Sequence, residues 1–369
     1  LYPFQVNAVD YLKQKNGTGL IADSMGLGKT IQTIGYLEEE ESYPALVVPP
    51  ASLQLNWQKE LEKWTDKDVK VAESTEVEAE DIEGNDVFII NYSKIWRNQT
   101  PETLKNYGFQ TLVGDESPKI KNKARNQGGC FAKELAPEIE NVVLLTGTPV
   151  LNRPEELVNQ LRAMDKLSPF GGDWEFLQRY TGAEKNNFGW DFSGSAHEEE
   201  LQQRLRETCM IRRDKEEILD ELPDKREMEV WFEIDNRDEY REAEQHLAEF
   251  VEEQAKDSRQ YHAILDNEGK EAAEKFAEEK GLNAKRAEQL VKLNTLRKVA
   301  AEGKVDSVVD WAKNSLEQED KVILFAHHKN VIADLMEQLD VEDKDYNPVK
   351  LTGDMDDEAK DDSVQAFQE

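Results

Sequence analysis

An apolar run, Gly19-Leu20-Ile21-Ala22, breaks into Asp23-Ser24-Met25-Gly26-Leu27-Gly28-Lys29-Thr30 and resumes as an amphipathic series at Ile31, Ile34 and Leu37. That order reads as strand, glycine-bearing turn and helix, the local context a phosphate cradle requires. Gly26 and Gly28 let backbone N–H groups approach a polyphosphate, and a helix beginning near Gly28 adds its positive end. Lys29 can reach the β- and γ-phosphates of a nucleotide, and the Thr30 hydroxyl can hold Mg²⁺. Asp23 stands where the strict Gly-x-x-x-x-Gly-Lys-Thr pattern has its first glycine. Taken alone, the segment also fits an ordinary helix start, and only a second motif can decide between the two.

Further along comes Thr111-Leu112-Val113-Gly114-Asp115-Glu116-Ser117-Pro118, an apolar strand ending in two adjacent carboxylates. A nucleotide hydrolase needs one acid to hold the metal and another to orient and deprotonate the attacking water. Asp115 is assigned to Mg²⁺ and Glu116 to the water. An acidic pair after a strand is usually a solvated turn. Behind a phosphate loop it becomes the second half of an NTPase site.

The chain has 369 residues, enough for two or three domains with proper cores. It lacks an apolar run of the roughly 18 residues a membrane span needs, and no signal peptide is expected at Leu1. Cys130 and Cys209 stand far apart without Cys-x-x-Cys partners, which argues against disulfides and structural zinc and suits a reducing cytoplasm. His327-His328 has no third ligand in view and reads as loop. The formal charge is −32, from 78 acidic and 46 basic residues. Spread over Glu38 to Glu41, Asp66 to Asp86 and Asp340 to Asp362, the excess resembles a salt-adapted surface, as expected of a halophilic host or its virus. In molar salt, counterion release adds little to nucleic-acid binding, so contacts would lean on backbone amides, helix ends and local basic clusters.

Strand and helix patterns alternate from Leu1 to about Met164, as in an α/β sheet. Ala45-Leu46-Val47-Val48 is a strand stopped by Pro49-Pro50, and Ser52 is expected to cap a helix carrying Leu53, Leu55, Trp57, Leu61 and Trp64. Val87-Phe88-Ile89-Ile90 and Val142-Val143-Leu144-Leu145 read as buried strands. Glycine-punctuated short segments come next, then a charged helical stretch with Leu290, Leu293 and Leu296 on one stripe. A second α/β unit is expected from about Lys304, with helix Val305 to Leu316, strand Val322 to Phe325 and helix Val331 to Leu339.

In this order the motifs resemble those of superfamily-two helicases, in particular the SWI/SNF-type double-stranded DNA translocases. Leu1-Tyr2-Pro3-Phe4-Gln5 resembles the Q motif, which implies that Gln5 hydrogen-bonds adenine. Asp23 to Thr30 matches the family's motif I, where aspartate replaces the first glycine; Val47 to Trp64 is similar to motif Ia. Gly114 to Asn122 resembles motif II, and Leu144-Leu145-Thr146-Gly147-Thr148-Pro149 resembles motif III, which couples the ATP site to DNA. Phe170-Gly171, Arg179-Tyr180, Phe188-Gly189-Trp190-Asp191, Gly194, Cys209-Met210-Ile211-Arg212-Arg213 and Glu221-Leu222-Pro223 resemble the protrusion of the annealing-helicase branch, which rewinds DNA and remodels forks. The branch has bacterial, archaeal and viral members, so a nucleoid-associated prokaryotic or viral protein is expected.

The resemblance implies a RecA-like parallel-sheet lobe over 1–165, a protrusion and helical insertion over 166–303, and a partial second RecA-like lobe over 304–369. It implies ATP and Mg²⁺ as cofactors and double-stranded or forked DNA, read without sequence preference, as partner. Two departures stand out. Pro118 occupies the place of a family histidine that links motif II to motif III, and motifs V and VI do not follow Leu351-Thr352-Gly353 before Glu369. Motif VI supplies an arginine finger worth about 10³-fold or more in rate, so this stretch alone is expected to be weak or inactive.

DNA contacts are expected from the basic run Lys119, Lys121, Lys123 and Arg125, and from Ser52 and Thr148 as phosphate donors. Arg212 and Arg213 can contact DNA or form an internal carboxylate pair. Trp57 and Trp64 can stack on bases, but at helical spacing beside Leu61 they read as core. Two other functions stay open: a non-hydrolysing nucleotide-dependent DNA clamp, and a remodeller of stalled transcription complexes.

Overall fold

The computed structural model describes residues 1–121, 126–148, 153–186, 189–218, 227–245, 256, 261–262, 264–265, 270–286, 288–317, 319–340 and 347–368. The chain divides into two compact units, Leu1–Asp224 and Lys225–Glu369.

The first unit is built on a parallel sheet of seven strands: β1 (Gly19–Ile21), β2 (Ala45–Val48), β3 (Val69–Val71), β4 (Val87–Ile89), β5 (Thr111–Gly114), β6 (Asn141–Leu145) and β9 (Met210–Ile211). Their order across the sheet is β3-β4-β2-β5-β6-β1-β9. Five of these, β1, β2 and β4 to β6, are the buried apolar runs visible in the sequence. They run uninterrupted because a parallel sheet is covered on both faces. Successive residues serve opposite faces: Leu20, Leu46, Val48, Phe88, Leu112 and Leu144 enter one core, and Ile21, Val47, Ile89, Val113, Val143 and Leu145 the other. Three helices matter for the site: α1 (Pro3–Gln14), α2 (Lys29–Glu39) and α3 (Gln54–Trp64). This is the RecA-like α/β architecture the motifs implied.

Segment 166–218, read from the sequence as part of a separate insertion, packs into the first unit. Phe170, Phe176, Tyr180, Leu201 and Leu205 join the larger core, and β9 then returns to the sheet beside β1. Glu200 holds the segment together, accepting from Arg179 Nε at 2.8 Å and Tyr180 Oη at 2.9 Å. The Arg179 guanidinium keeps the Glu200 carboxyl down at about 2. A short antiparallel hairpin, β7 (Glu184–Asn186) with β8 (Gly189–Asp191), projects from it.

The second unit is helical among its described residues. Val305–Ser315 and Lys329–Leu339 form as expected and share a small core of Val305, Val309, Val331 and Leu335. The expected strand Val322 to Phe325 joins no ladder among the described residues, and Ile323 and Phe325 stand 63% and 96% exposed. A strand exists through its neighbours, and none of the described segments runs beside this one. The leucine stripe is also broken: Leu296 packs near Val299, Leu293 is exposed, and the Leu290 side chain lies outside the described residues. His327 and His328 form the loop before the Lys329 helix, and no metal-binding cluster occurs among the described residues. No helix of the described residues is long and apolar enough to cross a membrane. Cys130 and Cys209 are buried, Cys130 Sγ donates to Ile95 O at 3.3 Å, and burial pushes the Cys209 thiol up to about 12.

Candidate nucleotide site

The sheet order sets the site. β6 lies between β1 and β5, so the turns leaving the carboxyl ends of these three strands are neighbours. In open parallel sheets that end is where ligands bind. The turns carry the phosphate loop, motif III and the acidic pair.

Gly28 is the N-cap of α2 in the left-handed conformation (φ 72°), and Gly26 is also left-handed (φ 87°). A side chain at Gly28 is barred twice, by its φ and by Gln5, whose Nε2 would stand 2.8 Å from an added Cβ. Gln5 therefore lies directly on the loop. It donates to Leu27 O at 3.3 Å, while its Oε1 accepts from Tyr2 N at 2.9 Å. Lys29 Nζ donates back to Asp23 O at 2.9 Å and more weakly to Ser24 O at 3.5 Å. Burial pushes this ammonium below the usual lysine range, opposed by the charges of Glu116, Asp23 and Asp115. Gly147 of motif III closes the third side, since a Cβ there would meet Met25 Cγ at 2.9 Å and Lys29 Nζ at 3.8 Å.

Asp115 is buried. Its Oδ2 accepts from the Trp57 indole Nε1 at 2.9 Å, its Oδ1 accepts from Glu116 N at 2.9 Å, and its carbonyl accepts from Tyr92 Oη at 2.8 Å. Burial raises its pKa, offset in part by Trp57, the Glu116 amide and Lys29. Glu116 is half-buried and left-handed (φ 48°), a costly conformation for a non-glycine residue and one that recurs at functional sites. Its pKa is raised by burial and then by Asp115, and lowered by Lys29 and Lys119.

The donor set fits a magnesium nucleotide. The Thr30 hydroxyl makes no hydrogen bond within the protein among the described residues. Asp115 is oriented by neutral donors rather than neutralised by a salt bridge, which leaves its charge for a cation.

Asp23 has a second meaning. It is fully buried, and Arg213 binds it through Nη2 and through Nε and the backbone N, both to Oδ1 at 3.0 and 3.1 Å. Gln32 Nε2 adds a donor to Oδ2 at 3.1 Å. Of the two roles open to Arg213, the internal pair is the one formed. The aspartate in place of the loop's first glycine is the anchor for that arginine.

Of the proposed DNA residues, Ser52, Lys119, Lys121 and Thr148 follow the carboxyl ends of β2, β5 and β6. Thr148 and Lys119 are exposed beyond β6 and β5, and Lys121 is tied to Glu156 at 3.0 Å. Ser52 is exposed past β2, but it does not cap α3; it sits in a single turn, Ala51–Leu53, and Leu53 holds the N-cap position. Pro49-Pro50 sends the chain into that tight turn before the helix can start. Lys123 and Arg125 lie outside the described residues, as do Asn122, Pro149, Phe188 and Glu221 to Pro223. The two tryptophans of α3 divide: Trp57 is fully buried, whereas Trp64, expected in the core, is 52% exposed and donates to Glu60. Trp57, Tyr92 and Gln32 serve the site in ways their sequence positions did not announce, and for Arg213 the sequence offered a carboxylate pair without naming Asp23 as the partner.

A family profile described as the SNF2-related domain matches residues 4–301. This chain belongs to the SNF2-related family. The DNA annealing helicase and endonuclease ZRANB3 of Homo sapiens is 33% identical over 246 residues, covering 63% of this chain and 22% of its own. The SWI/SNF-related matrix-associated actin-dependent regulator of chromatin subfamily A-like protein 1 of Xenopus tropicalis is 31% identical over 351 residues, covering 94% of this chain and 34% of its own. This SNF2-related chain thus spans about a third or less of the length of these relatives. Among solved structures, the Sulfolobus solfataricus SWI2/SNF2 ATPase core domain aligns over 100% of this chain and 73% of its own, with a TM-score of 0.50 and 21% identity. That likeness is one of fold.

Proposed function

We propose that this chain is the ATP-binding part of a DNA translocase that hydrolyses ATP while tracking duplex or forked DNA, annealing or remodelling it rather than unwinding long stretches. The observation that carries the reading is electrostatic. Lys29 follows β1 while Asp115 and Glu116 follow β5, with β6 between, and the charges of both carboxylates act on the Lys29 ammonium. A half-buried lysine in the field of two partly desolvated carboxylates is a charge arrangement suited to a polyphosphate and its metal.

On this reading Gly26 and Gly28 admit the phosphates, Gln5 meets the adenine edge, and Thr30 and Asp115 hold Mg²⁺, which supplies charge neutralisation and polarises the γ-phosphate when bound. Lys29 releases the carbonyls of Asp23 and Ser24 in favour of phosphate oxygens. Glu116 orients the attacking water and accepts its proton; its raised pKa makes it a stronger base than a solvated glutamate. Ser52, Lys119, Lys121, Lys123, Arg125 and Thr148 contact phosphates of the duplex, and phosphate contacts carry no sequence information.

Pro118 removes the family's histidine link, yet the neighbouring Ser117 Oγ donates to Gln160 Oε1 at 2.7 Å, and Asn159 Nδ2 donates to Ile120 O at 2.8 Å. These two bonds tie the acidic turn to the helix that comes after motif III. They support a coupled motor over a passive clamp.

The test is calorimetry of ATP binding with Lys29→Ala, which is expected to lose about 10- to 100-fold in affinity, the worth of a charged hydrogen bond. Fluorescence anisotropy with unrelated duplexes is expected to give equal affinities. Unchanged ATP affinity in Lys29→Ala would remove the nucleotide assignment, and a strong preference for one duplex sequence would remove phosphate tracking.

A further inference from the structure

The chain leaving β9 follows the phosphate loop almost residue by residue. β9 pairs in parallel with β1, Leu20 opposite Met210 and Ile21 opposite Ile211. The pairing continues past both strands: Ala22 N donates to Ile211 O at 2.8 Å, and Ser24 N donates to Arg213 O at 3.0 Å. Ser24 Oγ then donates to Asp214 Oδ1 at 3.2 Å. The side chains repeat the pattern, with Arg213 locked on Asp23. The next step along this path is Lys215 over Gly26. A Cβ built on Gly26 would stand 3.4 Å from Lys215 Nζ and 3.8 Å from its Cε.

An ammonium in that position is poorly served by the protein alone. Gly26 precedes Gly28, the N-cap of α2, so the local field from the helix end is positive and disfavours a cation. Lys29 adds a second positive charge to the same loop. Lys215 is half-buried and has no carboxylate partner or hydrogen bond among the described residues. The adjacent Asp214 is engaged by Ser24 and, at 3.5 Å, by Arg212. Two lysines and a helix N-terminus around one glycine loop form a cradle suited to an anion.

We propose that Lys215 is a second phosphate-binding lysine, carried to the loop by the exit of β9 and held over Gly26 by the Arg213–Asp23 pair. The proposal rests on the reading of this loop as a nucleotide site. Its ligand is the phosphate chain of ATP, gripped from Lys29 on the α2 side and from Lys215 on the β9 side. Nothing in the phosphate-loop motif itself encodes this residue, because it lies in a different segment of the chain.

The experiment is calorimetry of Mg-ATP binding to the wild type, K215A, K215R and K215E, with a thermal melt of each in the absence of nucleotide. K215A is expected to keep the wild-type melting temperature and to lose about tenfold in ATP affinity, the size of one charge-assisted hydrogen bond. K215R is expected to restore most of that loss, and K215E to weaken binding further. A residue with only a structural role would move the melts and leave no charge order among the variants. A wild type that binds ATP beside unaltered K215A and K215E overturns this proposal alone. A wild type that does not bind ATP overturns the nucleotide reading and this proposal with it.

Discussion

Asp115 and Glu116 leave the same strand into different surroundings. Asp115 turns inward to Trp57 and is fixed by two donors, an orientation that suits the metal-holding role proposed for it. Glu116 stays half-buried, in a strained backbone conformation, with raised pKa. Both carboxyls have raised pKa values, and that sets the sign of a pH effect. For a group whose folded pKa is raised, stability is fully present below the unfolded pKa and is lost as pH rises through the folded one. Glu116→Gln removes that loss. The variant is expected to bind ATP like the wild type and, without nucleotide, to melt a degree or two higher at pH 7, a gain typical of relieving an active-site strain. The gap should close as pH falls through the raised carboxyl range, where the wild-type Glu116 is protonated too. A melt in which Glu116→Gln is less stable at pH 7, or in which the gap widens in acid, would contradict this account. Trp57 shows how far the sequence is legible at this scale. Its helical spacing beside Leu61 places it in the core, but a buried indole N–H also needs an acceptor, and the acceptor is the Asp115 carboxylate. Trp64 has the same spacing but lies at the end of α3, where the sheet no longer covers it.

At the level of elements, the legible strands are those whose own residues carry the signal. Ala45 to Val48 and Val142 to Leu145 are continuous apolar runs, so burial on both faces is written into them. β3 and β9 are the two edges of the sheet, and neither can be read from its residues alone. Val69-Lys70-Val71 is too short and polar, and Met210-Ile211 is a strand only because β1 offers it a ladder. The Gly26–Thr30 loop is legible in the sequence, and a carboxylate pair for Arg213 is one of two readings there, but Asp23 as its partner is not, since the two meet only when the intervening segment folds back. That pair is testable. Arg213→Ala leaves a fully buried carboxylate without its counter-charge, and breaking such a pair costs about 3–5 kcal/mol. Denaturant unfolding is expected to show that loss for Arg213→Ala. The double variant Asp23→Ala/Arg213→Ala should recover part of it, because the orphan charge is gone. Equal stabilities for wild type and Arg213→Ala would mean that water, and not the arginine, satisfies Asp23.

For the whole molecule, the charge of −32 competes with the proposed task of holding a polyanion. The cations assigned to DNA are few, and not all are free, since Lys121 is paired with Glu156 while Lys119 is exposed and also faces Glu116. A surface of this kind repels itself as well as DNA. In dilute buffer near 10 mM salt the Debye length is about 30 Å, so the acidic stretches act together across a domain; near 1 M it falls to about 3 Å and they act singly. Melting temperature is therefore expected to climb by about 5 °C or more between those limits. DNA affinity should behave unlike that of a basic DNA-binding protein. Counterion release from a handful of phosphates still weakens binding as salt rises, but screening of the acidic face opposes it, so the net slope should be shallow. Neutralising Lys119, Lys121, Lys123 and Arg125 together should lower affinity alike for unrelated duplexes and leave ATP binding nearly intact, since these residues lie past the carboxylates and not among them. Thermal melts across KCl and anisotropy titrations at several salt concentrations measure both effects. A protein most stable in dilute buffer would remove the salt-adapted reading of its surface, and undiminished DNA binding by the fourfold variant would move the duplex away from the β5 edge.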